Sequence, residues 1–233
     1  MTGDRLQVTG YSYESMVLGV AMLELSIVNQ QIAIAGKVLQ GETEKTISGA
    51  IVEIIAMPEK FRAILSLKAL QYGSQWEKMS ARLDRKMTSI DGYFYFTNLP
   101  PGDYLLEASL PTSLNRYKKV RTTAKVSAPV NGKIPTTMTE IVLSPTGIKG
   151  TITDVNDPKK LIANAKIQIQ DSGDSTISDQ KGNYLLIDLK SPPSGQRNIT
   201  LIASATGYQQ VSQTLKIQRG EVISEQNFAL IAK

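Results

Sequence analysis

Beyond residue 30, apolar and polar residues alternate with a period of two over short stretches, a pattern that predicts strands with one buried face. Ile32-Ala33-Ile34 leads into a first strand, residues 51–57 form a second, and Tyr93-Phe94-Tyr95-Phe96 follows an Asp91-Gly92 turn, a strong hairpin signal. Residues 104–110, 117–127 and 139–143 complete one set. A second set covers residues 148–153, 165–170, 184–189, 199–205, 211–217 and 226–231. The period changes only once. After Pro58, the residues Phe61, Ile64, Leu65, Lys68, Ala69 and Tyr72 recur at helical spacing until Gly73, and Trp76, Met79, Leu83 and Met87 then share one helical face. This predicts helices over 58–72 and 75–86, a hairpin of two helices whose apolar face meets the sandwich or a partner.

The two sets of strands are two copies of one pattern. The first reads Gly36-Lys37-Val38, Gly49-Ala50-Ile51-Val52, Asp91-Gly92-Tyr93-Phe94, then Leu99-Pro100-Pro101-Gly102-Asp103-Tyr104. The second reads Gly150-Thr151-Ile152, Asn164-Ala165-Lys166-Ile167, Lys181-Gly182-Asn183-Tyr184, then Gly207-Tyr208. Ala50 aligns with Ala165 and Gly92 with Gly182, so the first copy holds 25 additional residues between those points, and the helical stretch 58–86 is an insertion. An internal repeat of this kind predicts two all-β domains, 31–144 and 147–233, joined through Ser144-Pro145-Thr146-Gly147. Residues 1–30 belong to neither copy. Val17, Leu18, Val20, Met22, Leu23, Leu25 and Ile27 make that segment too apolar for solvent, which predicts an extra strand or an arm that packs on another subunit.

Composition narrows the chemistry. The 233 residues include no cysteine and no histidine. Disulfides, thiolate nucleophiles, histidine-ligated metals and imidazole proton transfer are therefore excluded within this chain. No competent nucleophile–base pair stands in the repeated frame, and the expectation is a protein that is no enzyme and has no cofactor or catalytic residue. The start Met1-Thr2-Gly3-Asp4-Arg5 lacks a basic leader region, and the apolar run 16–25 is interrupted by Gly19 and Glu24. That predicts a cytoplasmic location without membrane insertion. The net charge of +5 is concentrated in the first copy, where Arg116, Lys118, Lys119, Arg121 and Lys125 fall within 115–125 with no acid among them.

The order Gly-x-Val, Gly-Ala-x-Val, Asp-Gly-x-Phe-x-Phe and Leu-Pro-x-Gly-x-Tyr resembles the carboxypeptidase regulatory-like domain. In the first copy the resemblance runs over residues 36–143 apart from the insertion; in the second, Asn164 stands in place of a glycine. The resemblance implies a transthyretin-like, Ig-like β-sandwich, and an accessory rather than catalytic role. Residues 67–104, with Tyr72, Trp76, Arg82, Asp84 and Arg85 ahead of the hairpin, also resemble a variant from bacterial contractile injection clusters. That second resemblance implies a cap or terminator-end component of a phage-tail-like particle.

Three sharper chemistries compete with plain turn and surface roles. Lys37 and Glu107 resemble the lysine and promoting carboxylate of an isopeptide cross-link, but residues 139–143 offer no asparagine or aspartate to close it. Asp154, Asp157, Asp171, Asp174 and Asp179 could supply oxygens to calcium, yet their spacing fits no calcium loop and turn geometry alone favours them, so no metal site is expected. The basic stretch is poor in interleaved aromatics, which argues against nucleic acid and for an acidic protein neighbour. The expected contact residues are Trp76, Arg82, Arg85, Arg116, Lys118, Lys119 and Arg121, with Val17, Leu18 and Leu23 on the arm, and the expected partners are other protein subunits, including further copies of this chain. The alternative is a carbohydrate- or cell-surface-binding module, which would need exposed aromatics.

Overall fold

The computed structural model describes residues 30–79, 82–113 and 115–233. Val17, Leu18 and Leu23 lie outside the described residues, so the arm expected over 1–30 is not placed. The remainder is all-β apart from one α-helix and two short 3-10 turns.

The first unit comprises β1 (Ile32–Gln40), β2 (Ile51–Ala56), α1 (Glu59–Tyr72), β3 (Arg85–Met87), β4 (Tyr93–Thr97), β5 (Gly102–Ser109), β6 (Val120–Val126) and β7 (Thr137–Leu143). Two sheets face each other, one ordered β4-β1-β7 and the other β3-β2-β5-β6. Alternate residues turn inward: Phe94 and Phe96 from β4, Val52 and Ile54 from β2, Tyr104 and Leu106 from β5, Ile141 and Leu143 from β7. Each fully buried aliphatic or aromatic side chain of this kind contributes about 1.5–3 kcal/mol relative to exposure. β1 runs parallel to β7 with Gly36 opposite Thr139, where a side-chain carbon on residue 36 would come within 2.3 Å of the Thr139 carbonyl oxygen. Only glycine permits that approach.

The second unit comprises β8 (Gly147–Asp154), β9 (Lys166–Ile169), β10 (Ser175–Ile177), β11 (Asn183–Ile187), β12 (Gln196–Ser204), β13 (Val211–Gln218), β14 (Val222–Ile223) and β15 (Phe228–Leu230). Its sheets are β11-β8-β14, with β15 also pairing β8, and β10-β9-β12-β13. The buried side chains form a cluster separate from the first, around Ile148, Ile152, Ile167, Leu189 and Leu201.

The repeat extends to individual hydrogen bonds. The buried Thr88 hydroxyl accepts from the Ala50 amide and donates to the Ile47 carbonyl. The buried Ser178 hydroxyl accepts from the Ala165 amide and donates to the Ile162 carbonyl. Gly49 and Asn164, the residues before those alanines, both have positive φ, at 74° and 55°. Asparagine is one of the few side chains at home there, which explains the departure from glycine in the second copy.

The insertion differs from the expected helical hairpin. Its first half is α1, ended by Gly73 at φ 53°, with Phe61 and Leu65 buried against the sandwich and the Phe61 ring edge-on to Tyr104 at 6.1 Å. The second half is not an α-helix. A 3-10 turn spans Gly73–Lys78, and Arg85–Met87 then pairs with β2 as an edge strand, Glu53 opposite Arg85 and Ile51 opposite Met87. Sheet pairing won over the helical spacing, and Leu83 and Met87 are exposed instead of facing inward. The same strand exists in the second copy as β10, pairing β9.

Candidate partner-contact surfaces

Trp76 and Arg82 are not surface residues, being 8% and 7% exposed. The Arg82 guanidinium forks onto Asp84, with Nε 2.9 Å from Oδ1 and Nη2 2.5 Å from Oδ2, and it reaches Glu77 Oε2 at 3.2 Å. It also lies 4.8 Å from the centre of the Trp76 ring, on which Tyr72 stacks. The hydrogen bonds that Arg82 donates to Asp84 raise the arginine further above its ordinary range. These contacts fold the insertion onto itself, and Nη2 also reaches Glu53 Oε1 of β2 at 3.5 Å, because a buried guanidinium persists only with its charge and donors matched. As a partner-contact residue, Arg82 is therefore corrected to an internal tie, and Trp76 to its packing platform.

Arg85 and Arg121 belong to a row of charges across the outer face of the β3-β2-β5-β6 sheet. The register places Arg85 opposite Glu53, Glu53 opposite Glu107, and Glu107 opposite Arg121. Two carboxylates directly opposed on neighbouring strands repel, and the flanking cations offset that cost. Arg85 Nη2 donates to Glu53 Oε1 at 2.9 Å, while Lys119 Nζ and Arg121 Nε donate to the two oxygens of Glu107 at 2.8 and 2.9 Å. Lys119 first, then Arg121, holds the Glu107 carboxyl below its ordinary range. The basic stretch is thus partly neutralised by acids from the centre of the sheet, which the linear charge count does not reveal.

Arg116 and Lys118 flank the joint between the sandwiches. The Thr146 amide donates to the Arg116 carbonyl at 2.7 Å, and the Thr146 hydroxyl accepts from the Gly220 amide at 2.8 Å. Between Arg116 and Lys118, the buried Tyr117 hydroxyl accepts from Gln40 Nε2 and donates to Asp188 Oδ1, each at 2.5 Å. Arg219 Nε donates to the Tyr117 carbonyl at 2.6 Å, and Lys149 Nζ meets Glu42 Oε2 at 2.9 Å. A side-chain carbon on Gly220 would lie 2.3 Å from Lys118 Cβ, and this glycine has φ 69°. The expected linker is therefore a hydrogen-bonded joint. Sequence reasoning places Thr146 in the connection but misses Tyr117 and Asp188, since only the fold brings them to it.

Three surface features remain. A cleft of about 540 Å³ at the joint is lined by Lys118, Lys119, Arg121 and Arg219, with Glu107 and the Pro193-Ser194-Gly195 turn. On α1, Leu67 and Leu70 are 68% and 80% exposed, with Ile64 and Tyr72 also open. On β4, Tyr93 and Tyr95 point outward beside exposed Met138 of β7. Lys37 meets Glu140 at 3.0 Å, whereas Glu107 lies on the opposite sheet, so the pair considered for a covalent cross-link is not brought together. Asp154 is committed to Lys160, Tyr208 and the Asn156 amide, and Asp179 caps its own turn. Among the described residues no three acidic side chains converge. No helix among them is long and apolar enough to cross a membrane.

No curated protein matches the chain. Among solved structures, it is similar to the Bacillus anthracis TIE protein at 18% identity and a TM-score of 0.33, over 87% of this chain and 34% of that one. A Streptococcal ancillary pilin is similar at 13% identity and a TM-score of 0.35, over 88% of this chain and 63% of the pilin. The shaft pilin spaA from Lactobacillus rhamnosus GG gives 12% identity and a TM-score of 0.39, over 88% and 98%. The chain thus spans about a third of the first of these and under two thirds of the second. Residues 148–230, the second sandwich, match the family model of the CarboxypepD_reg-like domain.

Proposed function

We propose that this chain is a non-enzymatic structural subunit that works by protein–protein contact within a larger assembly. The exposed apolar side of α1 carries this reading. The helix spends Phe61 and Leu65 on its own fold, yet presents Ile64, Leu67 and Leu70 outward, from an insertion that the second sandwich lacks. Apolar side chains clustered on an inserted helix mark contact surfaces more often than stability devices. The bonded joint adds to this reading, since two linked sandwiches transmit position better than two loosely tethered ones. The resemblance of residues 67–104 to components of contractile injection clusters supports a finer version, a cap or terminator-end subunit of a phage-tail-like particle.

Affinity purification of the tagged full chain from its native cells tests the proposal. Wild type is expected to retain stoichiometric protein partners, and L67E/L70E is expected to lose them while keeping its melting temperature. A wild-type protein that purifies alone, or a double variant that keeps every partner, would count against it.

A second reading is favoured by one observation. Tyr93 and Tyr95 lie two apart on the outer side of edge strand β4, 46% and 57% exposed, a ladder on which sugar rings could stack. Glycan-array binding abolished by Y93A/Y95A would support a carbohydrate-binding module instead.

A further inference from the structure

We infer that the cleft at the joint binds an extended acidic segment of a partner protein, a proposal that rests on the assembly reading and names one of its contacts. Four cations line this cleft against one carboxylate. Glu107 is shared by Lys119 and Arg121, so those two already leave an excess of positive charge. Lys118 and Arg219 have no acidic partner among the described residues; Arg219 donates Nε to a backbone carbonyl only. Each comes from a different sandwich, and the two are held close because Gly220 packs against Lys118 itself. Cations of one sign brought together at a bonded joint create a standing attraction for anions.

The walls favour a peptide over a nucleic acid. Glu107 sits within the cation cluster and would repel a continuous run of phosphates. The lining contains no aromatic ring on which a base could stack. The Lys119 and Arg121 side is the start of β6, the last strand of its sheet, and Gln218 ends β13, the last strand of the other. An extended chain entering the cleft could place alternate carboxylates toward Lys118 and Arg219 while its backbone follows one of these edges.

The test uses the full-length chain and a capped synthetic peptide of alternating glutamate and threonine, followed by fluorescence polarisation in low and in physiological salt. Binding is expected, weakening as salt screens it. K118E should reduce affinity about tenfold or more, the loss of one charge-assisted contact converted to an equilibrium ratio. Lys118 makes no side-chain tie to the joint, so this variant should keep its melting temperature; R219Q serves as the second variant, read with its own melting curve. K125E, away from the cleft, should bind as wild type does. Absence of peptide binding, binding unchanged in K118E, or tighter binding of a single-stranded DNA oligomer than of the peptide would overturn the proposal. Entry of K118E into the native complex tests the two readings apart. Retained partners with lost peptide binding would keep the helix-face reading while removing the cleft as its essential contact.

Discussion

The Tyr117 hydroxyl of the first sandwich donates to Asp188 Oδ1 of the second at 2.5 Å, and the phenol oxygen itself accepts from Gln40 Nε2. One phenol therefore completes a chain of hydrogen bonds across the boundary between two repeats. Y117F removes both bonds and leaves a half-buried carboxylate with one partner fewer, a loss of about 1–3 kcal/mol. Chemical denaturation should show this loss, and small-angle scattering should show a broader range of shapes. An unchanged profile in both would mean that the remaining bonds of the joint, those of Thr146, Arg219 and Lys149, hold it without the Tyr117 hydroxyl.

Alkaline pH should unfold the chain through its buried phenols. Burial pushes Tyr104 up to about 12, and burial together with the Asp188 bond pushes Tyr117 up to about 12. A tyrosine in the unfolded chain titrates near 10. The folded state thus holds its protons more tightly, so this stabilisation is complete below pH about 10 and is lost as pH rises towards about 12. Circular dichroism and phenolate absorbance recorded together should change in that window.

Breaking the Arg82–Asp84 pair should destabilise the first sandwich strongly. D84N leaves a buried guanidinium without its main counter-charge, at a cost of about 3–5 kcal/mol. A calorimetric scan should show the transition of the first sandwich falling, with that of the second retained. A loss under about 1 kcal/mol would mean that Glu77 and Glu53 compensate.

The two hydroxyl bridges should behave alike. T88A and S178A each strand a buried amide and carbonyl, so each should cost about 1–3 kcal/mol in its own sandwich. Comparable losses from separate denaturation curves would establish the equivalence of the repeats in energy as well as geometry.

Strand order and the repeat were legible because alternation and turn glycines act locally. Gly92 and Gly182, both at positive φ, mark the same turn in both copies. The failure was also informative. Residues 75–86 carry helical spacing, yet Arg85–Met87 closes onto β2, and neither this strand nor its counterpart β10 stands among the strands that alternation predicts, because three residues are too few to show a period. The contact residues were less legible. Arg85 and Arg121 read as free surface cations because Glu53 and Glu107 are brought to them only by sheet register, whereas Arg82 is misread although its main partner, Asp84, is two residues away. The joint was invisible for the same reason, since Tyr117 and Asp188 are 71 residues apart.

The contact surface of α1 is tested most directly by a photo-cross-linking residue placed at Leu70 in the full-length chain, activated in native cells. The account predicts covalent adducts to a small set of protein partners from position 70, and none from an equivalent residue at Thr214 on β13. Equal or absent adducts at both positions would contradict it.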